Sequence, residues 1–593
     1  MVGPPYDFLA NPLGVVRSTF EKAIASSSDP ASFDAKDWGA IDLFSRFLFD
    51  QPGLSRVPVL TPATLRWVQP NTLVRFRGMI QDMLGNELYV GAYKDGSVWR
   101  TNKFMDVAQF PMGSSADMRI WERRLLYCVP VPGQNEWTEI STEAFTNQYM
   151  DWTFQQREKR RRADDESDEC KDMHVSADMI QGSPDTKKMR EDEHPSLATV
   201  SLGVLPETSS SSMDMMLGYD GNSLPCLVKV YDSPESDLKL NDVFEFVGVL
   251  ASNVEAQVDN KDCDFSDDFC EDPLQHFPAN KVPRLHCFIH RKLAVSDFLQ
   301  NNTIIEPKSH LIKEIREALL RHLTSVLGND AVAAHFLLLH LLSRVHARAD
   351  TLAVGKLSLN LTCFSKETMS TFGNLLILSV ENLLPFTHYM PLTVEYLNTT
   401  ALAPRKDYDT NRLVTGVLQL AEGSHLIVDE TKLEAGTLNS LGVENARLLR
   451  NLMELQKLEY DFKYYRMEMA TDVQLLVMSE GKSNILPADV VVPFRPSVVN
   501  ATEAVVGEAW DAWRWYLATV RLLPHSIESE MQKVVENDLV AARQADRSLN
   551  PQDFSRWLTM GRLMSLSFGE TSLSLEHWQM VKELERLRSE RLK

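Results

Sequence analysis

The sequence predicts a multidomain protein, part α+β and part α/β. Three observations predict it. Apolar and polar residues alternate with period two in short stretches between Thr72 and His290; short apolar runs bounded by polar residues recur between helical stretches from Leu357 to Met478; and helical spacing governs both ends of the chain. The length, 593 residues, suits about three to four domains.

Residues 1–60 read as an N-terminal helical segment. Trp38, Ile41, Phe44, Phe47 and Leu48 fall on one helical face, with Asp29-Pro30 and Gln51-Pro52-Gly53 as breaks. A β domain is expected over 66–150 and 224–300. In Thr72–Ile80 one face carries Val74, Phe76, Gly78 and Ile80, the other Leu73, Arg75, Arg77 and Met79. Leu84-Gly85-Asn86 reads as a turn into Leu88–Tyr93. Arg124–Val131, Cys226–Tyr231, Val243–Leu250 and Leu285–His290 are the remaining strand candidates. The stretch 157–223 splits this domain. It joins a basic run, an acidic run and the serines 209–212, buries too little apolar surface to offset its ordering entropy, and is expected to be disordered.

An α/β domain is expected over 301–500. Two helices open it, the first with a stripe of Leu311, Ile315, Leu319, Leu323 and Val326, ended by Gly328-Asn329, the second over Val332–Val345. Leu357–Phe364, Leu426–Val428 and Val473–Met478 then have the character of buried parallel strands. Residues 501–593 are expected to form a helical lid. One helix carries Trp510, Trp513, Leu517 and Val520; another starts at Asn550-Pro551-Gln552-Asp553 with an N-cap and Pro at the first turn and stops at Gly569; a third starts near Ser574.

The net charge of −21 opposes non-specific binding to phosphate backbones and anionic membranes. Seven scattered cysteines without CxxC spacing read as reduced thiols. The N-terminus lacks the basic and apolar regions of a signal peptide, and the longest apolar stretch, around Phe336–Leu342, is too short to span a bilayer, so no membrane partner is expected.

One run carries potential chemistry. His425-Leu426-Ile427-Val428-Asp429-Glu430 has the form of a Walker B strand, which delivers an Asp to a Mg²⁺ shell and a Glu to the attacking water. Six such residues also describe any apolar strand ending in two acids. The phosphate cradle that must precede it is missing: Thr362-Cys363-Phe364-Ser365-Lys366-Glu367-Thr368 has no glycine and sets an acid where phosphates would lie. Gly481-Lys482-Ser483 follows the strand instead of preceding it and runs into Pro487, so it reads as a loop. Cys263, Cys270, Cys287, His286 and His290 do not make a metal site, because alternation sets Cys287 opposite both histidines. Lys159, Arg160, Arg161 and Arg162 are the nuclear-import candidate, since the acids directly after them would repel nucleic acid. Arg75, Arg77, Trp67, Tyr89 and Tyr93 would suit a single-strand binding face, a reading ranked below protein binding because of the global charge.

Several strings resemble known proteins. Leu240–Val249 is similar to the end of the OB-like domain of MCM replicative helicase subunits, Leu327–Val332 to the segment entering their AAA+ core, and Gly416–Gly423 to the stretch before their Walker B strand. Asn11-Pro12-Leu13-Gly14, Asp37-Trp38, Trp67-Val68-Gln69-Pro70, Leu73–Met83, Glu122–Gly133 and Gly355–Leu361 resemble the MCM complex-binding protein family, a degenerate relative of those subunits. The resemblance implies an OB-like β domain, a degenerate AAA+-like core with Asp429 and Glu430 as a vestige, no catalytic residue, no cofactor and no metal. It further implies a nuclear partner or chaperone of MCM helicase subunits, acting in assembly, storage or unloading of the helicase during DNA replication and in sister-chromatid cohesion. Chromatin association would then be indirect, with no direct DNA binding. A divergent AAA+ ATPase and a single-stranded DNA-binding module are the alternatives.

Overall fold

The long strand β1 (Leu73–Asp95) organises the N-terminal half of this computed structural model, which describes residues 7–26, 36–50, 53–106, 118–139, 224–232, 234, 237–251, 282–299, 309–349, 352–497 and 507–593. The chain is a mixed α+β protein, with four sheets among the described residues, all of which lie in one unit, Met1–Ile140 with Gly221–Lys593. The charged insertion and its basic run Lys159–Arg162 lie outside the described residues.

β1 does not turn at Leu84-Gly85-Asn86 as the sequence suggests. It runs straight through, because Gly85 takes φ +91° at a bulge opposite β3 (Met118–Val129) and the pairing resumes on the far side. Its first half pairs with β5 (Val243–Leu250), its second with β3 and the short β2 (Val98–Thr101). With β4 (Cys226–Val230) and β6 (Arg284–Lys292) the order is β1-β3-β4-β6-β5, and the β1–β5 pairing closes it into a five-stranded barrel. Val74, Phe76 and Ile80 point into the barrel with Leu126, Cys128, Cys226, Phe246 and Cys287. Helix α1 (Pro12–Ser26) and the short α2 (Ala40–Ser45) cover part of the outside, where Phe20 meets Trp38 and Phe44 meets Phe288.

The second body is a five-stranded, all-parallel sheet. In chain order its strands are β9 (Leu359–Thr362), β10 (Thr387–Pro391), β13 (His425–Asp429), β16 (Gln474–Met478) and β17 (Val490–Pro493); in space the order is β10-β13-β16-β9-β17. The hairpin β7 (Ala347–Ala349) and β8 (Leu352–Val354) precedes it. A small four-stranded sheet projects from it: β11 (Arg405–Asp407), β12 (Arg412–Val414), β14 (Lys457–Asp461) and β15 (Arg466–Ala470), in the order β12-β11-β14-β15. Helices α3 (Ser309–Val326) and α4 (Ala331–Leu342) have the expected stripe and break. Helices α5 (Asn374–Leu383) and α6 (Ser440–Leu455) flank the strands. The C-terminal helices are α7 (Gly507–Val520), α8 (Ser529–Ala545), α9 (Pro551–Ser567) and α10 (Leu575–Leu592). Asn550 caps α9 in a capping box with Asp553, Gly569 ends it at φ +76°, and Ser574 caps α10. These helices share one apolar core with α3, α4 and the sheet, through Trp513, Leu517, Met560, Leu563 and Trp578.

The barrel docks on the second body through buried polar contacts. Asp82 accepts from the Leu413 amide at 2.8 Å, the Gln81 side chain donates to the Leu413 carbonyl at 2.8 Å, and the Gln419 side chain donates back to the Gln81 carbonyl at 3.0 Å. Arg412 stacks over Tyr127. These hydrogen bonds form only when the barrel and the second body meet in this way, so they favour this placement. Among the described residues no helix is long and apolar enough to cross a membrane.

Candidate functional site

Strand β13 is buried along its whole length between two parallel neighbours, which suits the apolar Leu426, Ile427 and Val428 and requires internal partners for the flanking His425 and Asp429. Its C-terminal end presents Asp429 and Glu430 at the edge of the sheet, as a Walker B strand would. The carboxylates themselves are committed elsewhere. Asp429 is fully buried. Its Oδ1 accepts from the Thr431 amide at 3.0 Å and the Thr431 hydroxyl at 2.6 Å, and its Oδ2 accepts from the Tyr389 hydroxyl at 2.7 Å with Lys432 Nζ at 3.6 Å. Glu430 accepts from the Ser483 hydroxyl at 2.6 Å; burial pushes its carboxyl above the ordinary range, and the serine only partly offsets this. Gly481-Lys482-Ser483 is a loop after β16, as the sequence indicates, but its serine is one of the groups that hold the acidic pair.

The place where a phosphate cradle would stand is the exit of β9. Cys363 sits there at φ +68°. Its amide donates to the Glu480 carbonyl and the Phe364 amide to the Ser479 carbonyl, both at 3.0 Å. Ser365 then caps the following turn by accepting from the Thr368 amide at 3.2 Å, and its own amide donates to the Thr368 hydroxyl at 2.6 Å. The amides of Cys363, Phe364, Ser365 and Thr368, at the place where a phosphate cradle would need free donors, are thus spent inside the protein. Phe364 is buried and stacks on Phe494, with ring centroids 4.6 Å apart, filling the space beside the strand.

This arrangement makes Asp429 a strut between β10 and β13. Asp429→Asn puts an NH₂ donor among groups that all donate, and is expected to lower stability by about 1–3 kcal/mol. Urea unfolding checks this. The same unfolding curve is expected to be unmoved by Mg²⁺-ATP in both proteins.

The residues considered for a single-strand binding face do not converge on an open surface. Arg75 is buried, with Nη1 3.7 Å from Glu245, while Arg77 Nε donates to the same carboxylate at 2.8 Å. Burial lowers the Arg75 guanidinium to about 10 despite Glu245 beside it. Tyr89 lies under Arg123 and packs edge-on to Trp121 and Tyr231, Trp67 packs against the barrel core, and Tyr93 pairs with Arg100 in the β1–β2 hairpin.

Cys263 and Cys270 lie outside the described residues. Cys287 points into the barrel with Cys128 and Cys226, and burial pushes all three thiols up. His286 lies on the opposite face, against the Tyr231 hydroxyl at 2.7 Å, as alternation requires. His290 does not: a bulge between Val247 and Gly248 shifts the pairing, so His290 faces Phe246 on the side of Cys287.

Tyr389, Thr431 and Ser483 escaped the sequence reading. Only Thr431, two residues beyond the acid, carries a local signal, since hydroxyl residues there close a short turn on an aspartate. The other two arrive from β10 and the loop after β16, which sequence spacing does not connect to β13.

Comparison with known proteins gives a family likeness over nearly the whole chain. The family model described as mini-chromosome maintenance replisome factor matches residues 44–592. The mini-chromosome maintenance complex-binding protein of Arabidopsis thaliana is 58% identical over 596 residues, covering 100% of both chains. Those of Gallus gallus and Homo sapiens are 33% and 32% identical, each covering 99% of this chain and 98% of the relative.

Proposed function

From the chain's membership of the mini-chromosome maintenance complex-binding protein family, we propose that it is a non-catalytic binding partner or chaperone of MCM helicase subunits. The observation that carries the non-catalytic half is the exit of β9, where the amides of Cys363 and Phe364 and the cap at Ser365 already have internal acceptors and partners. The full-length likeness to proteins named for binding the MCM complex supports the partner.

Finer assignments follow the same reading. The five-stranded closed barrel supports an OB-like domain over 66–150 and 224–300. The order β10-β13-β16-β9-β17 supports a degenerate AAA+-like core over 301–500, because it sets one strand, β16, between the Walker-B-like strand and the strand that would lead to a phosphate loop. The helices of 501–593 are then its lid, and 1–60 its N-terminal helical segment. A subunit-shaped chain of this kind docks on true subunits through similar surfaces without hydrolysing ATP. We place its work in the nucleus, with Lys159–Arg162 as the import signal, in assembly, storage or unloading of the helicase during replication and in sister-chromatid cohesion.

Affinity purification of the tagged chain from nuclear extract at gentle salt tests the reading. MCM subunits are expected as the main recovered proteins, with no ATP retained at millimolar nucleotide. Absence of MCM subunits would sink the partner; Mg²⁺-dependent ATP turnover by the purified chain would sink the non-catalytic assignment.

A further inference from the structure

The turn joining β14 to β15 carries an exposed aromatic cluster. Tyr464 is 77% exposed, Tyr465 57%, Tyr408 on the neighbouring β11–β12 turn 42%, and Met467 37%. They form one patch: Tyr408 and Tyr464 meet edge-on with centroids 5.4 Å apart, the Tyr408 hydroxyl donates to the Phe462 carbonyl at 3.0 Å, and Phe462 stacks on Tyr465 at 5.0 Å. On the barrel, by contrast, exposed apolar side chains such as Leu88 and Val98 have no such aromatic stack. A contiguous exposed aromatic patch marks an interaction site, and Tyr is among the residues that dominate binding energy at protein interfaces.

The patch is held rigidly from below. Tyr460 is fully buried, and its hydroxyl accepts from the Asn241 side chain of the barrel at 2.7 Å. Arg447 on α6 and Arg466 on β15 share Glu444 and Glu459, which ties the hairpin to α6. At the tip Lys463 takes φ +61° and its amide donates to Asp461 Oδ1 at 2.8 Å. This left-handed residue makes the tight turn that leads into the exposed Tyr464 and Tyr465. Such preorganisation lowers the entropy lost on association.

Charge decides the class of partner. Residues 457–470 hold Lys457, Lys463 and Arg466 against Glu459, Asp461 and Glu468, a neutral hairpin on an acidic chain. Lys457 is paired with Glu468, and Arg466 with Glu444 and Glu459. Neither Lys463 nor Asp461 forms an ion pair with a described residue; Asp461 Oδ1 accepts the Lys463 amide, while the Lys463 ammonium lies 5.8 Å from the centre of the exposed Tyr464 ring. A phosphate backbone would gain little counterion release here. An apolar protein pocket bordered by a carboxylate would receive the tyrosines and meet the Lys463 ammonium.

We infer that the aromatic tip of the β14–β15 hairpin, with Tyr408, is a docking surface for a protein partner that offers an apolar pocket with an acidic rim. On the function proposed above, that partner is an MCM subunit. The full-length chain is titrated with purified MCM subunits in three forms: unaltered, Tyr464→Ala/Tyr465→Ala, and Lys463→Glu. Leu88→Ala, an exposed apolar change on the barrel, serves as the control. The double variant is expected to weaken binding at least tenfold and Lys463→Glu severalfold, with unfolding midpoints and Leu88→Ala binding unchanged. Unaltered affinity in both hairpin variants overturns this inference and leaves the proposed function standing. No binding by the unaltered chain overturns both. A parallel titration with a fluorescent oligothymidine at low salt covers the remaining case: loss of oligonucleotide binding in the double variant, with MCM binding intact, assigns the patch to nucleic acid and overturns the inference.

Discussion

Asp330→Ala is expected to destabilise the α/β body by about 3 kcal/mol, the cost of losing a helix cap and of leaving a mostly buried cation without its partner. The Asp330 side chain has no solvent exposure. One oxygen accepts from the Ala333 amide at 3.0 Å and so caps α4. The other accepts from the Arg495 amide at 2.9 Å and from Arg591 Nη1 at 2.7 Å. One carboxylate therefore ties the start of α4, the segment after β17 and the last turn of α10. The cap alone contributes about 1 kcal/mol. Arg591 adds the larger share, because its side chain is only 16% exposed and its other contact is the Pro493 carbonyl at 3.1 Å. Urea unfolding followed by tryptophan fluorescence reports the loss, since Trp513 and Trp578 lie in the same core. Arg591→Met is expected to cost less, as Asp330 keeps its two amide donors. A double-mutant cycle between the two positions is expected to show strong positive coupling; additive losses would assign the effect of Asp330 to the cap.

Acid is expected to weaken the same body steeply, through His340 and His425. Both rings are completely buried, with their Nε2 atoms 2.9 Å apart. His340 Nδ1 lies 2.7 Å from the Leu357 carbonyl and must carry a proton to donate to it. Neutral His340 then accepts at Nε2 from His425, which leaves His425 Nδ1 as a bare acceptor, and that atom has no hydrogen-bond partner. Any further proton would be buried away from water, beside the neighbouring ring and the Arg521 cation. Burial accordingly lowers His340 to about 4 and holds His425 well below the ordinary histidine range. The unfolded chain takes up these protons below pH about 6.5 and the folded chain does not, so stability is full above that pH and falls as pH drops toward 4. The slope is about 1.4 kcal/mol per pH unit for each ring, near 3 for the pair. Denaturant unfolding at pH 7.5, 6 and 5 measures it. Other buried histidines add to the total, so the informative quantity is the difference from His340→Leu/His425→Leu, whose slope is expected to be shallower by that amount. Equal slopes would remove the pair from the account.

What the sequence reveals follows the range of the forces involved. Helix ends are local, and Asn550, Pro551, Asp553, Gly569 and Ser574 act where their spacing indicates. Strands built on an apolar run, Leu426–Val428 in β13 and Leu475–Met478 in β16, are equally plain. β10 and β17 are not, because Thr387-His388-Tyr389 is polar and both strands end in proline, a signature of turns until the parallel neighbours are known. Gly85 misleads for a related reason: a glycine inside an alternating run serves a bulge as readily as a turn, and only β3 on the other side distinguishes them. The acidic pair at 429–430 is legible as a motif. Its chemistry is not, because Tyr389 and Ser483 reach it from 40 and 53 positions away.

The closure of the barrel by β1 and β5 has a consequence during synthesis. Leu73 pairs with Val249, so the first half of β1 emerges from the ribosome with its partner still about 175 residues short of being made. At ordinary elongation rates that is a wait of about 10–35 s. Throughout it Val74, Phe76 and Ile80 belong to an open strand edge, and everything inserted between β3 and β4 lengthens the interval. A nascent chain of this kind depends on holdase capacity during translation more than its finished barrel would suggest.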